Sequence, residues 1–276
     1  EMTLLIRGTK IAKYEVSDGV SQKLLLNRHE TGDSRLEIKK ISLNAKANFE
    51  LTLEQNSLNW LHALTSGLVV NSHKFDMQSL IVLNGGTKII IENVGDTEAE
   101  LLFCAIPKVS RFLSQSEPIP FDNHLVDWSV EPVLVSEFDS RKRIYLASPG
   151  LWQGVSCVKG EMIIYPHGGA APPHHHEGAE HFQYIMAGSG IVTFNETEHV
   201  VEKGDILYFF ENELHAFANK EPEEFVFSEF FVPGSYNTVW QNDSNICTWL
   251  PTGKNINGKK ASRHIEKHVH GEGKNI

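Results

Sequence analysis

Short runs of β-branched and aromatic residues, each closed by glycine, asparagine, aspartate or proline, recur along this chain of 276 residues. Leu80-Ile81-Val82-Leu83, Lys88-Ile89-Ile90-Ile91, Leu101-Leu102-Phe103, Glu161-Met162-Ile163-Ile164-Tyr165, Gly190-Ile191-Val192-Thr193-Phe194 and Glu224-Phe225-Val226-Phe227 are the clearest. Such runs suit a pleated, half-buried surface and read as strands. No stretch sustains helical periodicity; the best helical candidates are short, near residues 109–115 and 262–268. The chain is therefore expected to be all-β. Its apolar fraction of 41% and charged fraction of 22% fit a folded globular protein and exclude a disordered one.

Two segments repeat one another. Asn84-Gly85-Gly86-Thr87-Lys88-Ile89 followed by Asn93-Val94-Gly95-Asp96 parallels Gly204-Asp205-Ile206-Leu207-Tyr208 followed by His215 and Asn219. Each reads as strand, tight turn, strand and second turn, which predicts two similar β-barrels in tandem. The expected division is an N-terminal barrel over 1–109, a linker over 110–136 with Pro118, Pro120 and Pro132, a second barrel over 137–235, and a basic tail over 236–276.

Cys104, Cys157 and Cys247 are far apart and odd in number, so neither a disulfide framework nor a zinc knuckle is expected. Each reads as a small buried apolar residue, and a reducing cytoplasm fits that usage. Glu1-Met2-Thr3-Leu4-Leu5-Ile6 has no basic region before a long apolar stretch, so no secretory signal is expected. No apolar run has the length of a membrane span. The net charge is −10, with six cations against two carboxylates in residues 252–276. An acidic body argues against nucleic acid as partner, and His264, His268 and His270 in the tail are expected in solvent.

The segment from Gly168 to Gly188 concentrates the chemistry. It contains His174-His175-His176-Glu177-Gly178-Ala179-Glu180-His181-Phe182-Gln183. In a strand, His174 and His176 share a face and His175 points the other way. Neutral imidazoles at that spacing suit iron, manganese, copper, nickel or zinc.

This stretch resembles the first motif of the cupin superfamily: Gly, five residues, His-x-His, three or four residues, Glu, six residues, Gly. Gly168, His174, His176 and Gly188 fit it, with His181 where the family usually has glutamate; Glu180 satisfies the shorter spacing. The second motif is Gly, five residues, Pro-x-Gly, two residues, His, three residues, Asn. Gly204, His215 and Asn219 match it, while Phe210 and Asn212 replace its Pro and Gly. Asparagine tolerates positive φ, so Asn212 can keep the turn.

The resemblance implies two tandem cupin barrels of the double-stranded β-helix type, with one divalent transition metal per chain in the second. Its ligands would be His174, His176 and His215, with His181 the first choice for the fourth, on the count that ends at Gly188, and Glu180 the second. In the first barrel Ile89 takes the ligand position and no His-x-His precedes Gly67, so that barrel is expected to bind no metal. Tyr165, Gln183 and Phe217 are candidate pocket residues, Glu177 and Glu180 candidate acid–base groups, and Trp152 and Arg143 candidates for the opening.

Three functions follow as expectations. The first is an Fe(II) dioxygenase acting on a small anionic or chelating organic substrate. The second is a manganese-dependent hydrolase or aminohydrolase similar to ureidoglycine aminohydrolase; for the site itself Fe(II) is the metal expected first, with Mn(II), Zn(II) or Ni(II) as alternatives. The third is a non-enzymatic small-ligand binder. The resemblance also implies a homodimer.

Overall fold

A computed structural model describes residues 2–113, 124–152, 155–241, 246–273 and 275–276. Nearly every element is a strand; among the described residues the helical turns are short 3₁₀ segments. Of the two expected helices, Val109–Phe112 forms such a turn, and residues 262–268 form no helix but a bend and irregular chain leading into strand His268–Val269. No helix among the described residues is long and apolar enough to cross a membrane.

The chain divides into two compact units, Thr9–Trp128 and Ser129–Ile276, the latter joined by the residues up to Gly8. The first holds a seven-stranded antiparallel sheet in the order His124–Asp127, Ser79–Asn84, Leu58–Ala63, Ala99–Ile106, Glu37–Leu43, Val20–Leu26, Tyr14–Ser17. A four-stranded sheet completes it: Asn48–Thr52, Lys88–Asn93, Leu68–Val70, His73–Phe75. Alternation drives the closure. In Lys88–Asn93, Ile89 and Ile91 are buried and Ile90 is exposed. Their inward side chains join Leu61, Ile81, Leu101 and Phe103 of the larger sheet in one core, removing apolar surface from water.

The second unit repeats the plan. Its larger sheet runs Leu4–Ile6, Ile206–Phe209, Glu180–Ala187, Phe225–Val232, Lys159–Tyr165, Lys142–Ala147, Leu134–Ser136, Thr248–Pro251, His268–Val269. The smaller runs Thr197–Glu202, Ser189–Phe194, His215–Ala218, Ala170–Glu177, Asn237–Trp240. Three expected boundaries are thereby corrected. Leu4–Ile6 belongs to the second barrel, His124–Asp127 lies in a strand of the first rather than in a linker, and 236–276 contributes three strands to the second barrel rather than a free tail. Unpaired sheet edges leave backbone groups unsatisfied, and these distant segments satisfy them. Residues 114–123 of the expected linker lie outside the described residues.

Register exposes the repeat. Leu51 pairs with Ile89 as His174 pairs with His215, and Gly86 N donates to Leu53 O at 3.1 Å as Asn212 N donates to His176 O at 2.9 Å. Asn93 Nδ2 donates to Leu43 O as Asn219 Nδ2 donates to Tyr165 O, both at 3.0 Å. Asn212, at φ +68°, holds the turn that Gly86 holds at +78°. In the first barrel Leu51, Leu53 and Ile89 therefore stand where the second has His174, His176 and His215, and they offer no ligand atom.

His62 lies buried in the first barrel with neither ring nitrogen hydrogen-bonded, and burial pushes its pKa down to about 4. The unfolded chain, titrating near 6.5, takes up this proton first as pH falls. His62 thus costs stability progressively from pH 6.5 down to about 4, and above that window only the unpaired polar atoms cost. His62→Leu should be neutral or stabilising at pH 7 by up to about 1–3 kcal/mol, and more so at pH 5. Urea unfolding at the two pH values measures both. Equal or lower stability of the variant at pH 5 would contradict the burial argument.

Candidate metal centre

His174 and His176 lie on Ala170–Glu177, and His215 opens the strand paired with it. One ligand nitrogen from each of the three falls within 4.8 Å of the others, and all three side chains are buried. The rings are turned by their other nitrogens. His174 Nδ1 lies 2.7 Å from Pro172 O, and His215 Nδ1 lies 2.8 Å from Glu213 O. A carbonyl only accepts, so Nδ1 carries the proton and Nε2 keeps its lone pair for a ligand bond. His176 Nδ1 is similarly engaged by Thr238 Oγ1 at 3.1 Å.

His181 stands next to this triangle, its ring 4.9 Å from that of His176 and 5.0 Å from that of His215. It is stacked between Phe209 and Phe231, and neither of its buried nitrogens has a hydrogen-bond partner. A buried imidazole without partners is costly in a metal-free site. The ligand nitrogens of His174, His176 and His215 lie close enough together to hold one ion between them, so these three residues fit a metal. Burial holds His174 down at about 4 and pushes His176, His181 and His215 well below the ordinary histidine value, so near neutral pH all four are uncharged and able to ligate.

The carboxylates expected at the site lie elsewhere. Glu180 is buried beside His181 in sequence but accepts from Tyr208 Oη, and alternation turns it to the other face of the sheet. Glu177 is exposed and sits 3.5 Å from His175, which points away from the triangle. Tyr165 and Phe217 pack with Phe225 and Phe227 in the barrel core and also line a small cavity with His174 and His215, as does Arg143. Trp152 is buried and donates to Leu146 O. Gln183 does face inward, and its Nε2 donates to Glu229 Oε2 at 2.9 Å.

Two interior carboxylates escaped the sequence reading. Glu161 and Glu229 face one another across paired strands, and Gln183 pairs with Glu229 on the next. Arg143 Nε lies 2.9 Å from Glu161, and both side chains are buried. Burial alone would raise Glu161; the charges of Arg143 and Lys159 outweigh it and hold the carboxyl below its usual range. Burial, then the neighbouring Glu161 charge, pushes Glu229 well above its usual range, so it holds a proton. A lone glutamate in the otherwise apolar run Phe225–Val232 was the available signal.

The tail supplies two more groups. His268 is buried, with Nε2 2.7 Å from Tyr145 Oη. His270 packs its ring 5.8 Å from His174 and 5.9 Å from His176, with both ring nitrogens screened and unpartnered. Their expected exposure is corrected, because the strand His268–Val269 draws the tail onto the barrel.

Residues 160–232 match a family model described as a cupin domain. The second barrel is a cupin domain. The likeness of fold extends over both barrels. A protein of Pseudomonas aeruginosa named for induction by glyoxylate superposes with a TM-score of 0.71, at 12% identity over 88% of this chain and 92% of its own. A single-residue mutant of Bacillus subtilis oxalate decarboxylase gives 0.66 at 14% identity over 88% and 80%. Protein YlbA of E. coli gives 0.65 at 13% over 85% and 92%. At these identities the likeness is one of fold, and the chain has the two-barrel cupin architecture. No curated protein sequence matches it.

Proposed function

We propose that the second cupin barrel is a metal-dependent enzyme site, and that it works as an iron(II) dioxygenase on a small anionic, chelating organic substrate. The observation that carries this is the convergence of three buried imidazoles, His174, His176 and His215, with a fourth, His181, packed beside them and no carboxylate in the group. An iron(II) ion held by neutral donors would keep its double charge for an anionic ligand and bring O₂ chemistry to it. The protein's own part is to orient and to exclude water. Backbone carbonyls and Thr238 fix three rings, Phe209 and Phe231 wall in the fourth, and Glu229 lines a small cavity with His174 and His215.

Metal content should be measured by plasma mass spectrometry on tag-free protein never exposed to a nickel column. About one iron per chain is expected, with O₂ uptake on a panel of diketones, thiols and ring-cleavage substrates. Stoichiometric iron without O₂ uptake across that panel would sink the dioxygenase. A second reading draws on the buried acid Glu229 and on a fold shared with a decarboxylase that has Mn(II) centres. It is a manganese enzyme working without O₂, and manganese with ammonia or CO₂ release in anaerobic buffer would favour it.

A further inference from the structure

The interior of the second barrel is rich in charge, and one charge is left over. Arg143 is paired with Glu161, and Arg141 with Asp139 at 2.6 Å. Lys159 is buried on the strand Lys159–Tyr165 and forms no ion pair among the described residues. Its ammonium donates to Tyr236 Oη at 3.1 Å, one bond for three donors. Glu161, the carboxylate whose charge acts on Lys159, is already paired with Arg143. Burial pushes Lys159 down to about 8, so near neutral pH it still carries most of its charge. Two buried cations sharing one ionised carboxylate leave this cluster short of negative charge, which is costly.

Space for a counter-ion is built beside it. A cavity of about 230 Å³ is lined by Lys159, Tyr236, Thr238 and His270, with Val155 and Val158 as apolar wall and the exposed Glu272 at its rim. Because Tyr236 accepts from Lys159, its own hydroxyl hydrogen is free to donate. His270 adds two unpartnered ring nitrogens. The cavity also adjoins the histidine cluster: Thr238 bonds His176, and the Tyr236 ring lies 5.1 Å from the His176 ring. Gly271 closes the wall so tightly that a Cβ there would come within 2.2 Å of Lys159 Nζ.

We infer that this cavity is a carboxylate pocket in which Lys159 Nζ and Tyr236 Oη take the acid group of a small organic acid. The inference rests on the metal-enzyme reading only in making that acid the substrate; the pocket itself does not need the metal. Two donors, one charged, on an otherwise partly apolar wall match the two oxygens of a carboxylate.

The test is calorimetric titration of the metal-loaded protein with pyruvate, lactate and malonate, and with methyl pyruvate as the uncharged counterpart. Metal content is measured on the same samples. At least one of the acids should bind, methyl pyruvate should not, and Lys159→Met should weaken the acid by about tenfold or more at unchanged metal content, the size of a charged hydrogen bond. Tyr236→Phe, which keeps the ring, should weaken it several-fold and serves if Lys159→Met does not fold. Undiminished binding in folded Lys159→Met or in Tyr236→Phe, equal binding of the ester, or no binding of any acid at millimolar concentration would overturn the pocket. Lys159-dependent binding in a protein that takes up no metal would uphold the pocket and remove the metal-enzyme reading.

Discussion

Replacing His176 with alanine should abolish metal binding while the barrel stays folded. His176 contacts all the other imidazoles: its ring lies 5.0 Å from His174, 4.9 Å from His181 and 5.3 Å from His215, and it is packed against Phe231 and Tyr236. Without it, His174 and His181 flank a gap. Metal content should fall from about one ion per chain to near zero. The thermal stabilisation that metal gives the wild type should vanish with it, a term of about 4 kcal/mol when free metal exceeds Kd a thousandfold. His175→Ala is the control, since His175 points outward to Glu177 and should keep the metal. An alanine variant at 176 that retains stoichiometric metal would show that the ion sits elsewhere.

Removing the guanidinium of Arg143 should be the most destabilising single change in the interior of the second barrel. Arg143 and Glu161 are 2% and 0% exposed, with Nε and Oε2 2.9 Å apart. Arg143→Met strands the Glu161 charge beside the Glu229 carboxyl, and breaking a buried pair from one side costs about 3–5 kcal/mol. At roughly 2–4 °C per kcal/mol for a unit of this size, the melting temperature should fall by about 6–20 °C. The double variant Arg143→Met, Glu161→Leu should recover most of that loss, because both partners of the pair are then gone and neither is stranded by the other. A single variant within about 1 kcal/mol of wild type would mean that solvent reaches the pair.

Much of the fold and half of the site could be read from local pattern. Strand alternation alone places His174 and His176 on one face and His175 on the other. Motif spacing brings His215 to them, and the tolerance of asparagine for positive φ keeps the turn at Asn212. The same spacing identified Ile89 as the residue that replaces a ligand in the first barrel. Spacing favours His181 over the adjacent Glu180 only through the count that ends on Gly188; the sheet shows one turned toward the cluster and the other toward Tyr208.

What the sequence by itself determined is therefore whatever repeats with the period of a strand or the spacing of a turn: an all-β chain, two similar barrels, and three histidines on one wall. What only the tertiary structure decided is what distant strands bring together. Glu161, Glu229 and Gln183 form one row because register aligns three strands that are neighbours in the sheet but not in the chain. Leu4–Ile6 and the tail strands join the second barrel because its sheet edges need hydrogen-bond partners, wherever in the chain those lie. His268, His270 and Gly271 reach the interior by that route. Their local sequence is polar and basic, and carries no sign of burial, because burial here is imposed by pairing rather than by side-chain hydrophobicity.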